Sequence, residues 1–275
     1  MIYLFFCTKK MPYRTDGSSH INGIANEVNS IAYFNANPNC NINNRLRGHE
    51  ETPLEWDKRG GTQQKADAVC SHGDNHLNYI SIKNHKEKSG TYDLENTSIV
   101  DSLCPTVKQK ISEYKTKNIG VTNVTPKMRD EVNTIFSNAL DNCTSDLLKV
   151  HMEKVFAKCM VCSHIIVRNE PIRQFQMIKT ENYRPLLLLG EGAMFFLKKG
   201  QAKKASRQLW IRQLVESKVS EINTNLRIRL TLNNGVGALF GLSNKNKTSV
   251  PSIKIQLDKV DSFIIQCDDL VVDSY

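Results

Sequence analysis

The sequence predicts an α/β (α+β) protein: a core of mixed sheet flanked by helices, a helical middle and a β-rich C-terminal part. Three observations predict it. Apolar residues recur at helical spacing in 22–34 and again from Pro105 to about Val161. Two strand-like runs flank a polar turn in 66–83. Apolar and polar residues alternate cleanly in 226–232.

Residues 1–20 read as an N-terminal extension. Its apolar run, Ile2 to Cys7, is too short for a secretion signal and has no basic stretch before it. Both Met1 and Met11 remain open as the start. No run approaches the ~20 apolar residues that a spanning helix needs, so no membrane partner is expected. Eight irregularly spaced cysteines fit reduced usage rather than a disulfide framework. The expected location is intracellular, cytoplasmic or nuclear.

The core is expected over 21–200, with a helical insertion. Ile24, Val28, Ile31 and Ala32 form one face of the first helix, and Glu27 lies beside that face. Residues 37–59, Asn-rich and with Pro38 and Pro53, predict a long loop. Ala66–Cys70 and Leu77–Lys83 then form a hairpin around Gly73-Asp74-Asn75, residues that tolerate positive φ. Thr125-Pro126 caps one helix and Thr144-Ser145-Asp146 starts another. IIVRN and AMFFLKK read as strands. The last region, 201–275, is expected to hold a basic helix over 201–222 and then antiparallel strands at 226–232, 252–257 and 262–266. Asn233-Asn234-Gly235 predicts a tight hairpin turn.

The net charge is +9, from 37 Lys+Arg against 28 Asp+Glu. A basic surplus favours polyanionic partners, nucleic acid above all. Lys198, Lys199, Lys203, Lys204, Arg207, Lys245 and Lys247 suit phosphate contacts. Arg227 and Arg229 share one strand face and are placed to follow a backbone.

The hairpin carries the chemistry. Asp67 stands at the start of one strand, and Ser81-Ile82-Lys83 at the end of the next. Neighbouring strands lie ~5 Å apart, so such ends bring side chains to one point. A carboxylate there suits Mg²⁺, and a lysine suits water positioning and charge stabilisation.

This layout resembles the PD-(D/E)xK nuclease superfamily, whose members carry an Asp on one strand and (Asp/Glu)-x-Lys on the next. Many also carry a Glu on the preceding helix, the place of Glu27. The resemblance covers residues 20–98. Two departures stand out: Ala66 replaces the usual proline, and Ser81 replaces the middle acid. A restriction-endonuclease subgroup has Ser-x-Lys and takes its second carboxylate from the following helix. Glu95 fills that role here, with Asp93 as the competing choice. The resemblance therefore implies a restriction-endonuclease-like core and Mg²⁺-dependent DNA hydrolysis. Asp67, Glu95 and the Ile82 carbonyl would hold metal, Lys83 would position water, and Glu27 would be an auxiliary acid. Double-stranded DNA is the expected partner, and cutting both strands favours a homodimer.

Other readings compete. A non-catalytic nucleic-acid binder on a degenerate nuclease fold follows if Glu95 points away from Asp67. Cys143, His151, Cys159, Cys162 and His164 offer zinc-type ligands, but without a second CxxC. The Gly235–Gly241 segment lacks the Gly-Lys-Ser/Thr ending that a P-loop needs.

Overall fold

The computed structural model describes residues 18–59, 66–72, 76–86, 91–98, 100–199, 205–242 and 248–275. Residues 1–17 of the extension, the turn at 73–75, and Lys203, Lys204, Lys245 and Lys247 lie outside them.

The chain opens with α1 (Ser18–Ala36), α2 (Asn41–Arg47), β1 (Glu55–Lys58), β2 (Ala68–His72), β3 (His76–His85) and β4 (Tyr92–Thr97). Three helices follow: α3 (Val107–Lys117), α4 (Pro126–Asp141) and α5 (Ser145–Cys159). Then come β5 (His164–Asn169), β6 (Gln174–Lys179), α6 (Arg184–Leu187), β7 (Met194–Lys199), β8 (Ser206–Val215) and β9 (Lys218–Leu232). The last elements are α7 (Gly235–Leu239), β10 (Pro251–Leu257), α8 (Val260–Ile265) and β11 (Val271–Ser274).

The strands form two sheets. The first runs β1-β2-β3-β5-β6-β11 and is mixed: β3 and β5 are parallel, the other pairs antiparallel. A parallel pair needs a long crossover, and α3–α5 lie within it. Ile165, Ile166 and Val167 are all buried, because β5 is covered on both faces. The second sheet, β4-β10-β9-β8-β7, is wholly antiparallel.

Two apolar clusters set the layers. One joins α3–α5 to Ile165, Val167 and Ile178 of the first sheet and to the inner face of the second. The other packs Ile31 and Phe34 of α1 and Ile42 of α2 on Ile80, Ile82, Ile166 and Met177. The predicted caps form: Thr125 Oγ1 accepts from the Met128 amide at 3.2 Å, and Thr144 Oγ1 from the Leu147 amide at 3.3 Å.

Four expectations are corrected. Residues 37–59 are not one loop, since they hold α2 and β1. Distant partners order them: Asp273 caps the Asn41 and Ile42 amides, both at 2.8 Å, and Asn43 Oδ1 accepts from Trp56 Nε1 at 2.7 Å. The basic helix over 201–222 is instead β8 and the start of β9 wherever the chain is described. Leu209 and Ile211 alternate inward there, and pairing with β7 and β9 overrides helix propensity. Asn233-Asn234-Gly235 makes no two-residue turn; Gly235, at φ 77°, starts α7, and the chain rejoins the sheet at Pro251. Residues 262–266 are not a strand: Val260 and Ile264 are buried at helical spacing in α8.

Candidate functional site at the strand ends

Asp67 precedes β2 and lies opposite Ser81. Its amide donates to the Ile80 carbonyl at 2.9 Å. Its Oδ2 accepts from the Ile82 amide at 2.7 Å and from Ser81 Oγ at 3.0 Å. The side chain thus stands in for a ladder carbonyl where pairing ends. Ser81 is buried and holds Asp67 in place of supplying a second charge.

Glu27 reaches this corner from α1, which packs along β1. Its Oε2 lies 3.7 Å from Lys58 Nζ at the end of β1. Burial, and then the Asp67 charge, push the Glu27 carboxyl above its ordinary value, while Lys58 and Lys83 pull it down. Glu27, Asp67, Lys58 and Lys83 therefore share one electrostatic neighbourhood. Lys83 is half-buried and makes no close ion pair among the described residues.

Glu95 is placed elsewhere, and from a strand rather than a helix. A bulge in β4 decides its direction. Asp93 pairs with Gln256 and Glu95 with Ile255, so Leu94 is the extra residue. In a regular strand, without the bulge, Asp93 and Glu95 would share a face. With it Asp93 faces out, to Lys254 at 3.2 Å and Gln256 at 2.8 Å, and Glu95 turns into the helical layer. There its Oε1 accepts from Lys158 at 2.6 Å. It lines a cavity of about 110 Å³ with Thr97, Ser102, His151, Lys154 and Lys158, and with none of Asp67, Ser81, Lys83 or Glu27. Neither Glu95 nor Asp93 supplies the acid missing at Ser81.

The sequence reading missed a polar cluster further along β3. His85 and Asn169 are buried beside Gln176. Asn169 Nδ2 donates to Asp261 Oδ1 at 2.8 Å and to Gln176 Oε1 at 3.1 Å, and His85 Nε2 lies 3.3 Å from Asp261. The available signal was His85 two residues past Lys83, on the same strand face.

The basic residues divide. Lys198 pairs with Glu221 at 2.6 Å, and exposed Lys199 with Asp141 at 3.2 Å. Arg207 is corrected as a phosphate contact. It is 5% exposed, its Nε donates to Asp141 at 2.8 Å, and it braces β8 against α4. Cys159 and Cys162 are buried. Among the described residues no group of three or more His, Cys, Asp or Glu is placed to hold a metal ion. No helix among them is long and apolar enough to cross a membrane.

Compared with protein-family models and with curated proteins, the sequence matches none.

Proposed function

We propose that this chain is a divalent-metal-dependent phosphodiesterase acting on nucleic acid, with DNA as the first substrate to test, on a restriction-endonuclease-like core. The supporting observation is the corner where Glu27, 3.7 Å from Lys58, feels the negative charge of Asp67 and the positive charge of Lys83. Two neighbouring carboxylates repel, and a dication relieves that repulsion. Mg²⁺ is usually bound by one or two carboxylates together with waters and substrate phosphates, so this donor set fits it. Glu27 and Asp67 would hold the ion. Its chemistry there is to ease deprotonation of water and neutralise phosphate charge. Lys83 orients the attacking water and offsets developing negative charge. Ser81 and the Ile82 amide fix Asp67 in its rotamer. The mixed first sheet with helices on both faces supports the same reading. Cutting both strands would take two such corners, hence a homodimer.

The test is incubation of the full chain with plasmid and Mg²⁺, beside Lys83→Ala and an EDTA control. We expect cutting that needs the metal and falls about 100-fold or more in the variant. Equal cutting by Lys83→Ala would falsify the assignment. A second reading, a non-catalytic nucleic-acid binder, is favoured by the small acid count and by Asp67 already holding two hydrogen bonds. It predicts plasmid binding with no cutting in Mg²⁺ or Mn²⁺.

A further inference from the structure

The outer face of the second sheet belongs to no site described so far. Its inner face is apolar: Leu209, Ile211, Leu226, Ile228 and Ile255 are buried in the larger cluster. Strand register carries the outward residues into rows. Asn96, Lys254, Arg229 and Ser206 form one row across β4, β10, β9 and β8. Asp93, Gln256, Arg227, Gln208 and Lys198 form the next. Asn223, Trp210 and Phe196 form a third.

Two features of this face point to one kind of ligand. The first is an aromatic pair under cations. The Trp210 and Phe196 rings have centroids 6.4 Å apart, with Lys198 Nζ 3.8 Å from the Trp210 centroid and the Arg212 guanidinium 4.7 Å from that of Phe196. The second is a surplus of positive charge. Among the described residues, Lys198, Arg212, Arg227, Arg229 and Lys254 face only Glu221, Asp258 and Asp93. Arg229 alone of these cations has no carboxylate partner among the described residues. It borders a depression of about 270 Å³ with Asn96, Thr231, Asn233, Ser252 and Lys254, all hydrogen-bonding groups suited to a phosphate. Trp210 lies four residues along β8 from Ser206, which pairs with Arg229, so ring row and phosphate site are roughly 13 Å apart.

We propose that this sheet face binds single-stranded nucleic acid, with Arg229 and Lys254 on phosphate and with Lys198 and Arg212 swinging off the Trp210 and Phe196 rings to phosphate so that unpaired bases stack there. A duplex keeps its base faces stacked internally, so it cannot use the rings. A flexible strand can use rings and cations together. An acidic peptide would satisfy the cations but leave the aromatic row idle. The choice of nucleic acid rests on the phosphodiesterase reading, whereas the face itself does not.

The experiment separates the two. Binding of a dye-labelled oligothymidylate of about ten nucleotides is measured by anisotropy in EDTA, where metal-dependent cleavage is silent. We expect tighter binding to this strand than to a duplex of equal length. Trp210→Ala should weaken it about tenfold, and Trp210→Phe should restore most of the loss. Arg229→Gln should weaken it and reduce the salt slope by about one. Trp56, the second tryptophan, is buried against Phe34, so quenching in a Trp56→Phe background reports Trp210. Circular dichroism checks that each variant folds. Equal binding by the variants, preference for duplex, or displacement by polyglutamate as readily as by the strand overturns the proposal. Such results would leave plasmid cutting, and its loss in Lys83→Ala, untouched.

Discussion

The two sheets deal with charge in opposite ways. In the first sheet, charged side chains gather at strand ends beside a helix: burial, and then the Asp67 charge, raise the carboxyl of Glu27, against the pull of Lys58 at 3.7 Å. In the second, charges spread across an open face, and among the described residues all its cations but Arg229 are matched. Lys198 and Arg212 take Glu221, Arg227 takes Asp258, and Lys254 takes Asp93. Matched exposed pairs hold little energy and bind ligands by rearranging. A crowded pair of acids stores repulsion, which only a cation or a proton relieves. The first arrangement underlies the proposed metal-assisted chemistry, and the second the proposed binding of a polyanion.

The comparison breaks most easily on β9. Ile228 is fully buried, and Arg229, the next residue, faces out. Ile228→Ala should cost about 2–5 kcal/mol of stability. Arg229→Ala should stay within about 0.5 kcal/mol. Chemical denaturation measures both, and comparable losses would remove the distinction between the faces.

A smaller effect is expected from the inward-turned side of the second sheet. His151 is buried beside Glu95, with Nδ1 2.9 Å from Ser102 Oγ. Desolvation, and to a lesser extent Lys154, push its pKa down from 6.5 to about 4, against the pull of Glu95. The unfolded chain therefore takes up the proton first as pH falls. Stability from this group is complete above pH 6.5 and is lost as pH drops towards 4, by up to about 3 kcal/mol. Melting curves of wild type and His151→Asn across that range should converge in slope with pH if His151 is not responsible.

The smallest shift concerns the corner itself. Mg²⁺ well above its dissociation constant should raise Tm by a few degrees in the wild type. Glu27→Gln removes one carboxylate, and the metal-induced rise should shrink. An identical rise in both proteins would take Glu27 out of the metal site and weaken the contrast between the sheets.

Much of the fold was legible in the sequence because it rests on local chemistry. The hairpin, the caps at Thr125 and Thr144, and strands β5, β7 and β10 follow from residue periodicity and turn residues. The misread segments share a cause. The Asn-rich 37–59 region becomes ordered only through Asp273, which arrives from the last strand. Residues 206–222 become strands because two neighbours pair with them. Part of the corner was legible too, since Ser81 donates to Asp67 at the strand end and the Asp67 charge acts on Glu27.

Glu95 shows the limit. The chain spelling TYDLEN fixes two acids two residues apart, and ideal alternation would turn both the same way. The sequence by itself determined that a carboxylate and a lysine would stand at the ends of a hairpin, because strand pairing of adjacent segments is a local affair. Only the tertiary structure decided which acids join them. Pairing of β4 with β10, more than a hundred and fifty residues away in the chain, introduces a bulge at Leu94 that sends Glu95 to Lys158, while the packing of α1 along β1 brings Glu27 within reach of the Asp67 charge.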